Sequence, residues 1–256
     1  MKRLFTLFVT LTLFSSISFS YEYLEILDVN WWWSRDIGSI KSASCLIEPK
    51  GFNAECTLIL EFSTAGSWYD QDAELEIDMN FKLPENSSIT DFYLWIEGVA
   101  ERGDIYDRWT ASLIYESIVQ RRIDPAILTI TGGSEYNLKV FPLPPNGSRK
   151  VMIRYLVPVD DALNGSPIVQ IPYNILKLSY CLPDSFKLAF REDSQSHSPV
   201  VREDSNVSFE YQNDGDFGTC WVANISHLNN YSSLSLGYEH KSTNQLKLMT
   251  YTDNSS

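Results

Sequence analysis

The segment DAELEIDMNFKL, residues 72–83, alternates apolar and polar side chains without a break. Carboxylates, an amide and a lysine separate its six apolar residues, which are Ala73, Leu75, Ile77, Met79, Phe81 and Leu83. Because successive side chains of a strand point to opposite faces, this pattern predicts a β-strand with one buried and one solvated face. The Pro84-Glu85-Asn86-Ser87 sequence that follows predicts a turn.

Further strands are predicted on both sides of this segment. They cover residues 44–49, 55–63, 89–97, 126–131, 136–141, 149–157, 186–191, 207–211, 219–223, 234–238 and 246–251. Short strands at this spacing predict a mainly β fold in which two antiparallel sheets pack as a two-layer β-sandwich. The strands after residue 160 are sparser, and they predict either a small second β domain or a β-rich extension of the first.

One α-helix is predicted between residues 104 and 124. Its apolar residues recur every three or four positions and form a single stripe: Ala111, Ile114, Tyr115, Ile118 and Val119. Asp104 or Asp107 can cap its first turn, where free backbone amides favour a carboxylate. Pro125 ends it, because the residue before a proline disfavours the helical conformation.

The first twenty residues have the pattern of a secretory signal peptide. Lys2 and Arg3 precede an apolar run over residues 4–14, and Ser18-Phe19-Ser20 predicts cleavage after Ser20. A membrane anchor is the alternative, but the run is too short for a hydrocarbon core of roughly 30 Å. No second run of spanning length follows, so we expect an exported chain without an integral membrane segment, located in the periplasm, outside the cell or at its surface.

The composition and net charge of the chain limit the kinds of molecule that it is expected to bind. The chain has 256 residues, a net charge of -13 and a pI of about 4.6. Nucleic-acid binding is disfavoured, because it depends on Lys and Arg neutralising phosphates. Hydrophobic residues make up 44% of the chain, enough for a sizeable core in one or two domains.

The four cysteines are Cys45, Cys56, Cys181 and Cys220. In an oxidising compartment this even number permits disulfides with three possible pairings. We favour Cys45–Cys56 and Cys181–Cys220, because each pair stays in one half of the chain and suits neighbouring strands. Four buried free thiols are the alternative. No C-x-x-C spacing occurs, so a zinc or redox motif has little support.

Several motifs in order between residues 39 and 159 carry a family resemblance. They are Phe81-Lys82-Leu83-Pro84, the strand from Phe92 to Gly98, Trp109-Thr110-Ala111 with Tyr115-Glu116, Arg122-Ile123-Asp124-Pro125-Ala126-Ile127-Leu128, and the strands at 136–142 and 149–155. Together they resemble the VIT domain (vault protein inter-alpha-trypsin domain) found in inter-alpha-trypsin inhibitor heavy chains, in the variant of exported bacterial proteins. The resemblance implies a β-sandwich with one helix and brings no catalytic residues.

These observations divide the chain into four parts. We expect a signal peptide at 1–20, an N-terminal strand and Trp-rich segment at 21–38, a VIT-like domain at 39–159 and a β-rich extension at 160–256. For Trp31-Trp32-Trp33, packing across the end of the sandwich is favoured over an exposed binding platform.

The sequence offers few candidates for a catalytic or metal-binding site. The three histidines, His197, His227 and His240, all lie in polar, loop-like surroundings. Glu74, Glu76 and Asp78 could form a glycosidase pair, but their alternation with apolar residues favours a solvated face. The segment 213–216, Asn-Asp-Gly-Asp, is interpreted as a turn rather than part of a calcium loop.

We therefore expect a non-catalytic interaction or scaffold module with an unknown protein or cell-surface partner. No cofactor, metal or small-molecule substrate is expected. Two alternatives remain, namely the N-terminal part of a longer VIT–von Willebrand A adhesin and a carbohydrate-active hydrolase on a β-sandwich. Seven Asn-x-Ser tripeptides lie mostly at predicted turns or in the polar second half of the chain, and they predict surface exposure at Asn86, Asn146, Asn164, Asn206, Asn224, Asn230 and Asn254.

Overall fold

The computed structural model describes residues 23–31, 34–64, 69–70, 72–103, 126–161, 167–192 and 198–239. Within these ranges the protein is mainly β, as predicted, and every strand pair but one is antiparallel. Three predicted features lie outside the described residues: the signal peptide at 1–20, the α-helix between 104 and 124, and the last strand at 246–251.

The strands are numbered in chain order. They are β1 (Leu24–Asp28), β2 (Arg35–Ile37), β3 (Ser39–Lys50), β4 (Asn53–Ser63), β5 (Leu75–Lys82), β6 (Ser88–Ile96), β7 (Val99–Arg102), β8 (Ala126–Gly132), β9 (Glu135–Leu143), β10 (Ser148–Pro158), β11 (Asp160–Asp161), β12 (Pro167–Ile171), β13 (Ser185–Phe190), β14 (Val200–Val201), β15 (Glu210–Asp214), β16 (Gly218–Ser226) and β17 (Leu234–Gly237). Two short 3-10 helices, η1 (Tyr173–Leu178) and η2 (Leu228–Asn230), interrupt the later strands.

The described strands form three sheets. Sheet A has five strands in the order β2-β1-β5-β9-β8, and sheet B has eight in the order β15-β16-β13-β3-β4-β10-β6-β7. Sheet C has four short strands in the order β11-β12-β17-β14. The hairpin of β3 and β4 and the antiparallel pair of β4 and β10 form the middle of sheet B.

The core lies between sheets A and B. Leu75, Ile77 and Met79 of β5 are completely buried, as the alternation of that segment predicts. They belong to one hydrophobic cluster with residues of sheet B such as Leu60 and Ile153. Burying each of these side chains contributes about 2 kcal/mol, so the two facing sheets stabilise each other.

Residues after 160 share this core. Strand β13 pairs in parallel with β3, and Leu188 lies opposite Cys45. Phe186 and Leu188 of β13, with Leu234 of β17, are buried in the same cluster as β5. Sheet B therefore continues from β3 through β13, β16 and β15.

For the Trp-rich segment, the sequence favoured packing across the end of the sandwich, but its one described tryptophan is exposed. Trp31 has 56% of its surface exposed, in the turn between β1 and β2. The turn is closed by hydrogen bonds from Trp31 N to Asp28 O and from Ser34 N to Trp31 O. Backbone closure thus holds Trp31 at the surface. Trp32 and Trp33 lie outside the described residues.

Candidate interaction surface

The outer face of sheet B, which points away from the core, carries two aromatic residues of β6. Leu94 points into the core and is 5% exposed, so its neighbours Tyr93 and Trp95 point outward. Both remain half-buried. Strand β6 thus has large apolar residues on both faces. It lies near one end of sheet B, next to the four-residue strand β7.

Strand β10 places two cations beside these rings. Met152 lies directly opposite Tyr93 in the register of β10 and β6. The Arg154 guanidinium carbon is 5.5 Å from the centroid of the Tyr93 ring, and Lys150 Nζ is 4.8 Å from that of Trp95. Both distances are within the range of cation–π attraction. We call Tyr93, Trp95, Lys150, Met152 and Arg154 the β6–β10 surface.

Arg154 is the member of this surface without a counterion. In the described part of the chain its guanidinium makes no ion pair, and Nε is shielded from solvent without a hydrogen-bond partner. Asp91 lies opposite Arg154 in the register, but its carboxylate accepts a hydrogen bond from Arg102 Nε at 2.7 Å. A guanidinium has five donors, so Arg154 retains the capacity to bind a carboxylate in a bidentate manner.

A tight turn between β15 and β16 covers the neighbouring part of this outer face. Phe217 packs with Leu46, Ile59 and Val222 in a small hydrophobic cluster separate from the main core. Met152 of the β6–β10 surface contacts the same cluster. We call residues 214–218 the aspartate turn. Because Phe217 anchors it, the aspartate turn and the β6–β10 surface form one continuous outer face.

Two aspartates of this turn bind lysines of sheet B. Asp214 Oδ2 is 2.9 Å from Lys187 Nζ, and Asp216 Oδ1 is 3.0 Å from Lys150 Nζ. Asp214 Oδ1 also accepts hydrogen bonds from the backbone N–H groups of Asp216 and Phe217. The segment that resembles part of a calcium loop is therefore a hairpin turn, and its carboxylates are neutralised by lysines.

The interaction between Asp214 and Lys187 keeps both side chains in their charged forms. Burial alone raises the pKa of the Asp214 carboxyl, but hydrogen bonds from Lys187 and the backbone outweigh burial, and the pKa is lowered. Burial likewise lowers the pKa of Lys187, but its bonds to Asp214 and Asp216 outweigh this effect, and the pKa is raised. The ion pair thus persists across the neutral range.

The carboxylates on β5 are also paired with a lysine. Lys139 Nζ of β9 lies 3.2 Å from Glu76 Oε1 and 3.2 Å from Asp78 Oδ2. Asp78 Oδ1 accepts a further hydrogen bond from Asn137 at 2.6 Å. Glu76 is buried, which differs from the solvated face predicted for this strand, because Lys139 compensates its charge. Burial lowers the pKa of Lys139, but the two carboxylates outweigh it and raise the pKa.

All four cysteines are free thiols in the structure. Cys45 and Cys56 are completely or almost completely buried on neighbouring strands, and they are two register positions from facing each other, since Cys45 lies opposite Leu58 and Cys56 opposite Ile47. The fully buried Tyr155 hydroxyl lies against both thiols but has no well-formed hydrogen bond. Burial raises the pKa of Cys56 well above its usual range, and the neighbouring Cys45 adds to the effect. The Cys45–Cys56 disulfide therefore stays a prediction.

The two cysteines of the other predicted disulfide, Cys181 and Cys220, lie at opposite ends of β13. Cys181 precedes the start of β13 and is exposed, whereas Cys220 is buried next to Trp221, which lies opposite the end of β13 at Phe190. A six-residue strand spans roughly 17–20 Å, while disulfide formation requires Cα atoms within about 7 Å. The structure thus places Cys181 and Cys220 at opposite ends of a strand, an arrangement their sequence spacing could not reveal.

Other candidate sites from the sequence are dispersed. His227 is exposed at the start of η2, whereas His197 and His240 lie outside the described residues. Among the described residues, no group of three His, Cys, Asp or Glu side chains could hold a metal ion. No helix in the described ranges has the length and apolar character needed to cross a membrane. The five described asparagines of the Asn-x-Ser tripeptides are all exposed: Asn86, Asn146, Asn206, Asn224 and Asn230.

An open cleft of about 470 Å³ lies where the turn after β5 meets the end of β10 and the start of η1. Its charged and amide side chains come from Lys82, Glu85, Asn86, Asp160, Gln170 and Asn174. Cationic, anionic and amide groups are mixed, without the convergent, mostly apolar lining that is usual for a small-molecule site. The cleft marks the junction between the first sandwich and its extension.

The β6–β10 surface is not among the sites predicted from the sequence. The predicted strand at 89–97 contained its signal, because apolar residues occupy both sets of alternating positions: Phe92, Leu94 and Ile96 on one, Tyr93 and Trp95 on the other. A strand with apolar residues on both faces is either buried on both sides or exposes aromatic residues that a partner can cover. The sequence does not distinguish these two possibilities. The position of β6 between β10 and β7 does.

The architecture defines a class of mainly β proteins with two packed sheets. Residues 40–155 match the model of the family described as Vault protein inter-alpha-trypsin domain, so the chain carries a VIT domain from β3 to β10. This match confirms the family resemblance in the sequence. No curated protein matches the chain.

Several solved structures are similar to this chain at low sequence identity. A Legionella pneumophila protein assigned as nutrient binding has 14% identity and a TM-score of 0.45, covering 78% of this chain and 66% of that one. Leukotriene A4 hydrolase from Saccharomyces cerevisiae has 7% identity and a TM-score of 0.38, with 78% and 28% covered. An M1 zinc metallopeptidase from Deinococcus radiodurans has 8% identity and a TM-score of 0.39, with 78% and 42% covered. The chain thus spans less than two thirds of the length of these proteins.

Proposed function

We propose that this protein is an exported, non-catalytic interaction module whose VIT domain binds a protein or cell-surface partner through the β6–β10 surface. The observation that carries the proposal is the half-buried Arg154, which stacks on Tyr93 and has no carboxylate partner in the described part of the chain. An arginine in this state has lost part of its hydration without gaining a counterion. A partner carboxylate would provide that counterion.

The side chains around Arg154 are those that dominate binding energy in protein interfaces. Tyr, Trp and Arg are enriched among interface hot spots, and Met adapts its shape to irregular partners. Tyr93, Trp95 and Met152 therefore offer apolar contact beside the guanidinium. The surface suits a partner segment that presents an acidic residue next to large apolar ones.

The non-catalytic part of the proposal is supported by the pairing of carboxylates. Glu76 and Asp78, which could have formed a glycosidase pair, share Lys139. Asp78 also accepts a hydrogen bond from Asn137, so the oxygens that would act on a glycosidic bond are already engaged by neighbouring side chains. The export part rests on the signal-peptide pattern of residues 1–20.

A comparative capture experiment tests the binding surface. The purified protein and its Arg154→Gln variant are immobilised and exposed to surface and medium proteins of the source, and the retained proteins are quantified by mass spectrometry. Arg35→Gln serves as the control, because Arg35 is an exposed arginine of sheet A paired with Glu25. We expect one set of proteins to be retained by the wild type and the control and reduced at least roughly tenfold by Arg154→Gln. Equal retention by all three would contradict the proposal.

Two further measurements test its remaining parts. Purified protein assayed on a panel of glycoside and peptide substrates is expected to show no turnover above a heat-inactivated control, and reproducible turnover would contradict the non-catalytic assignment. An antibody blot of cell and medium fractions is expected to find the protein outside the cytoplasm with residues 1–20 removed. Retention of those residues in a cytoplasmic fraction would contradict export.

A further inference from the structure

The Asn-x-Ser tripeptides are more frequent than the composition explains. The chain has 15 asparagines and 31 serines among its 256 residues, so a random order would place a serine two positions after about two of the asparagines. A serine follows seven of them at this distance, and none of the intervening residues is a proline. Asn-x-Ser without proline is the acceptor sequence for N-glycosylation in exported proteins. The excess therefore indicates that these tripeptides are acceptor sites.

Three of the tripeptides combine an exposed asparagine at a change of chain direction with an exposed serine. Asn86 and Asn206 lie in turns, and Asn230 is the last residue of η2. Their serines, at positions 88, 208 and 232, are exposed as well. Such surface connections project their side chains away from the packed sheets. A modifying enzyme can therefore reach both the amide and the hydroxyl of each tripeptide.

The other two described tripeptides lack one of these features. Asn224 lies within β16, where it pairs with Lys187 in the ladder of sheet B. Asn146 is exposed, but the serine of its tripeptide, Ser148, is half-buried and donates its hydroxyl to Glu61 at 2.6 Å. The remaining tripeptides, at 164–166 and 254–256, lie outside the described residues. The structure thus separates three accessible acceptors from two constrained ones.

The three accessible tripeptides are connected around the open cleft of about 470 Å³ beside η1. Asn86 lines this cleft, and so does Ser233, which directly follows the third tripeptide. Tyr231, the middle residue of that tripeptide, donates its hydroxyl to Asp204 Oδ2 at 2.6 Å. Asp204 Oδ1 accepts a hydrogen bond from Asn206 Nδ2 at 3.0 Å. One chain of contacts therefore joins tripeptides that are distant in sequence.

The lining of the cleft suits a carbohydrate next to Asn86. Lys82 and Glu85 contribute a cation and a carboxylate, and Gln170 and Asn174 contribute amides. These groups include both donors and acceptors, which are the partners that sugar hydroxyls need. The first sugars of a glycan on Asn86 can therefore form hydrogen bonds along the cleft.

We propose that Asn86, Asn206 and Asn230 carry N-linked glycans, which cover the surface around this cleft. Each amide nitrogen attacks the anomeric carbon of a lipid-linked glycosyl phosphate. The bond from Nδ2 to that carbon forms, the bond from the carbon to the phosphate oxygen breaks with its electron pair leaving on the phosphate, and one amide proton passes to a base of the transferase. This inference rests on the export part of the proposed function, because the acceptor sequence is used in exported proteins.

Peptide mapping by mass spectrometry of the chain purified from the surface and medium of the source tests the proposal. Peptides containing Asn86, Asn206 and Asn230 are expected to carry added sugar mass and to release sugar fragment ions. Ser208→Ala should abolish the added mass at Asn206, whereas Ser208→Thr should retain it, because the hydroxyl belongs to the acceptor sequence. Asn174→Gln is the matched control, since Asn174 is exposed in the same cleft without a serine two residues later.

Ser88→Ala and Ser232→Ala test the other two sites, and each should remove the sugar from its own tripeptide alone. Ser88→Ala is preferred to Asn86→Gln, because Asn86 has a φ of 61°, which asparagine adopts more readily than glutamine. An exported chain that lacks residues 1–20 and carries no sugar at the three asparagines would overturn this inference and leave export standing. Protein confined to the cytoplasm would overturn both. Added mass that survives the serine-to-alanine variants would also overturn it, since such attachment does not depend on the tripeptide.

Discussion

Lys187 Nζ lies 2.9 Å from Asp214 Oδ2, and 27 residues of chain separate the two side chains. The pair joins β13 to the aspartate turn, and through Phe217 it holds that turn on the outer face of sheet B. Because both groups stay charged through the neutral range, their contribution to stability should depend on pH in a defined way.

The first prediction concerns Asp214→Asn. The amide keeps an oxygen for the backbone bonds but loses the charge, so the free energy of unfolding at pH 7 should fall by about 1–2 kcal/mol. The Asp214 pKa is lowered on folding. Its contribution is therefore present above the unfolded pKa of about 3.9 and is lost as pH falls through the folded pKa. Wild type and variant should converge in urea titrations at acidic pH.

The stability at alkaline pH and a control variant complete the test of the Asp214–Lys187 pair. The Lys187 pKa is raised, so its contribution is complete below the unfolded pKa of about 10.4 and is lost as pH rises through the folded value. Glu25→Gln removes a pair between exposed side chains and should change stability by less than about 0.5 kcal/mol. A difference between Asp214→Asn and wild type that stays constant down to acidic pH would show that the charge is not responsible.

The second prediction compares two fully buried tyrosines. The Tyr173 hydroxyl donates a hydrogen bond to the Leu228 carbonyl, whereas the Tyr155 hydroxyl has no well-formed partner. Tyr173→Phe should therefore cost about 1–2 kcal/mol, while Tyr155→Phe should lie within about 0.5 kcal/mol of wild type or stabilise it. Urea unfolding of both variants gives the comparison. A larger loss for Tyr155→Phe would mean that its contact with the two thiols is a real hydrogen bond.

The third prediction concerns thiol reactivity. In the native protein after mild reduction, an alkylating reagent should label the exposed Cys181 first. Cys45 and Cys56 should react only when the protein unfolds, because burial keeps the reagent from both thiols and raises the pKa of Cys56. Peptide mapping by mass spectrometry gives the order of labelling.

The same digests, prepared without reduction, test the disulfides. A bond between Cys45 and Cys56, which lie on neighbouring strands, stays the predicted one, and a Cys181–Cys220 bond should be missing from native material. A native Cys181–Cys220 linkage would contradict the register of β13.

The fourth prediction concerns truncation. A chain of residues 23–159 lacks β13, which covers the edge of β3, and loses Phe186 and Leu188 from the core. It should aggregate or unfold without a cooperative thermal transition, whereas residues 23–239 should unfold cooperatively. Circular dichroism and light scattering distinguish these outcomes. A soluble, cooperatively unfolding 23–159 fragment would show that the VIT domain folds alone.

The parts of this fold that the sequence predicts are those that depend on local alternation. Strands β5 and β10 have the predicted buried residues, including Ile77 and Ile153, because period-two alternation reports directly on which face meets the core. The described asparagines of the Asn-x-Ser tripeptides are exposed for an equally local reason, because polar side chains favour solvent, although Asn224 lies in strand β16 and not in a turn.

The parts that could not be predicted depend on pairings distant in sequence. Nothing local to β13 indicates that it runs parallel to β3, and nothing local to Glu76 indicates that Lys139 will compensate its burial. Strand β12 begins with Pro167, which follows a polar segment typical of a loop. The β6–β10 surface likewise requires the position of β6 near the end of sheet B.

The parallel pair of β3 and β13 also determines the order in which this protein can be completed during synthesis. Arg191, which follows β13, bonds Glu48 of β3 across 143 residues of chain. At about 5–20 residues per second, a ribosome needs on the order of ten seconds to produce that length. Throughout this interval one side of a twelve-residue strand remains without its partner. During this interval that side of β3 is open to pairing with other strands.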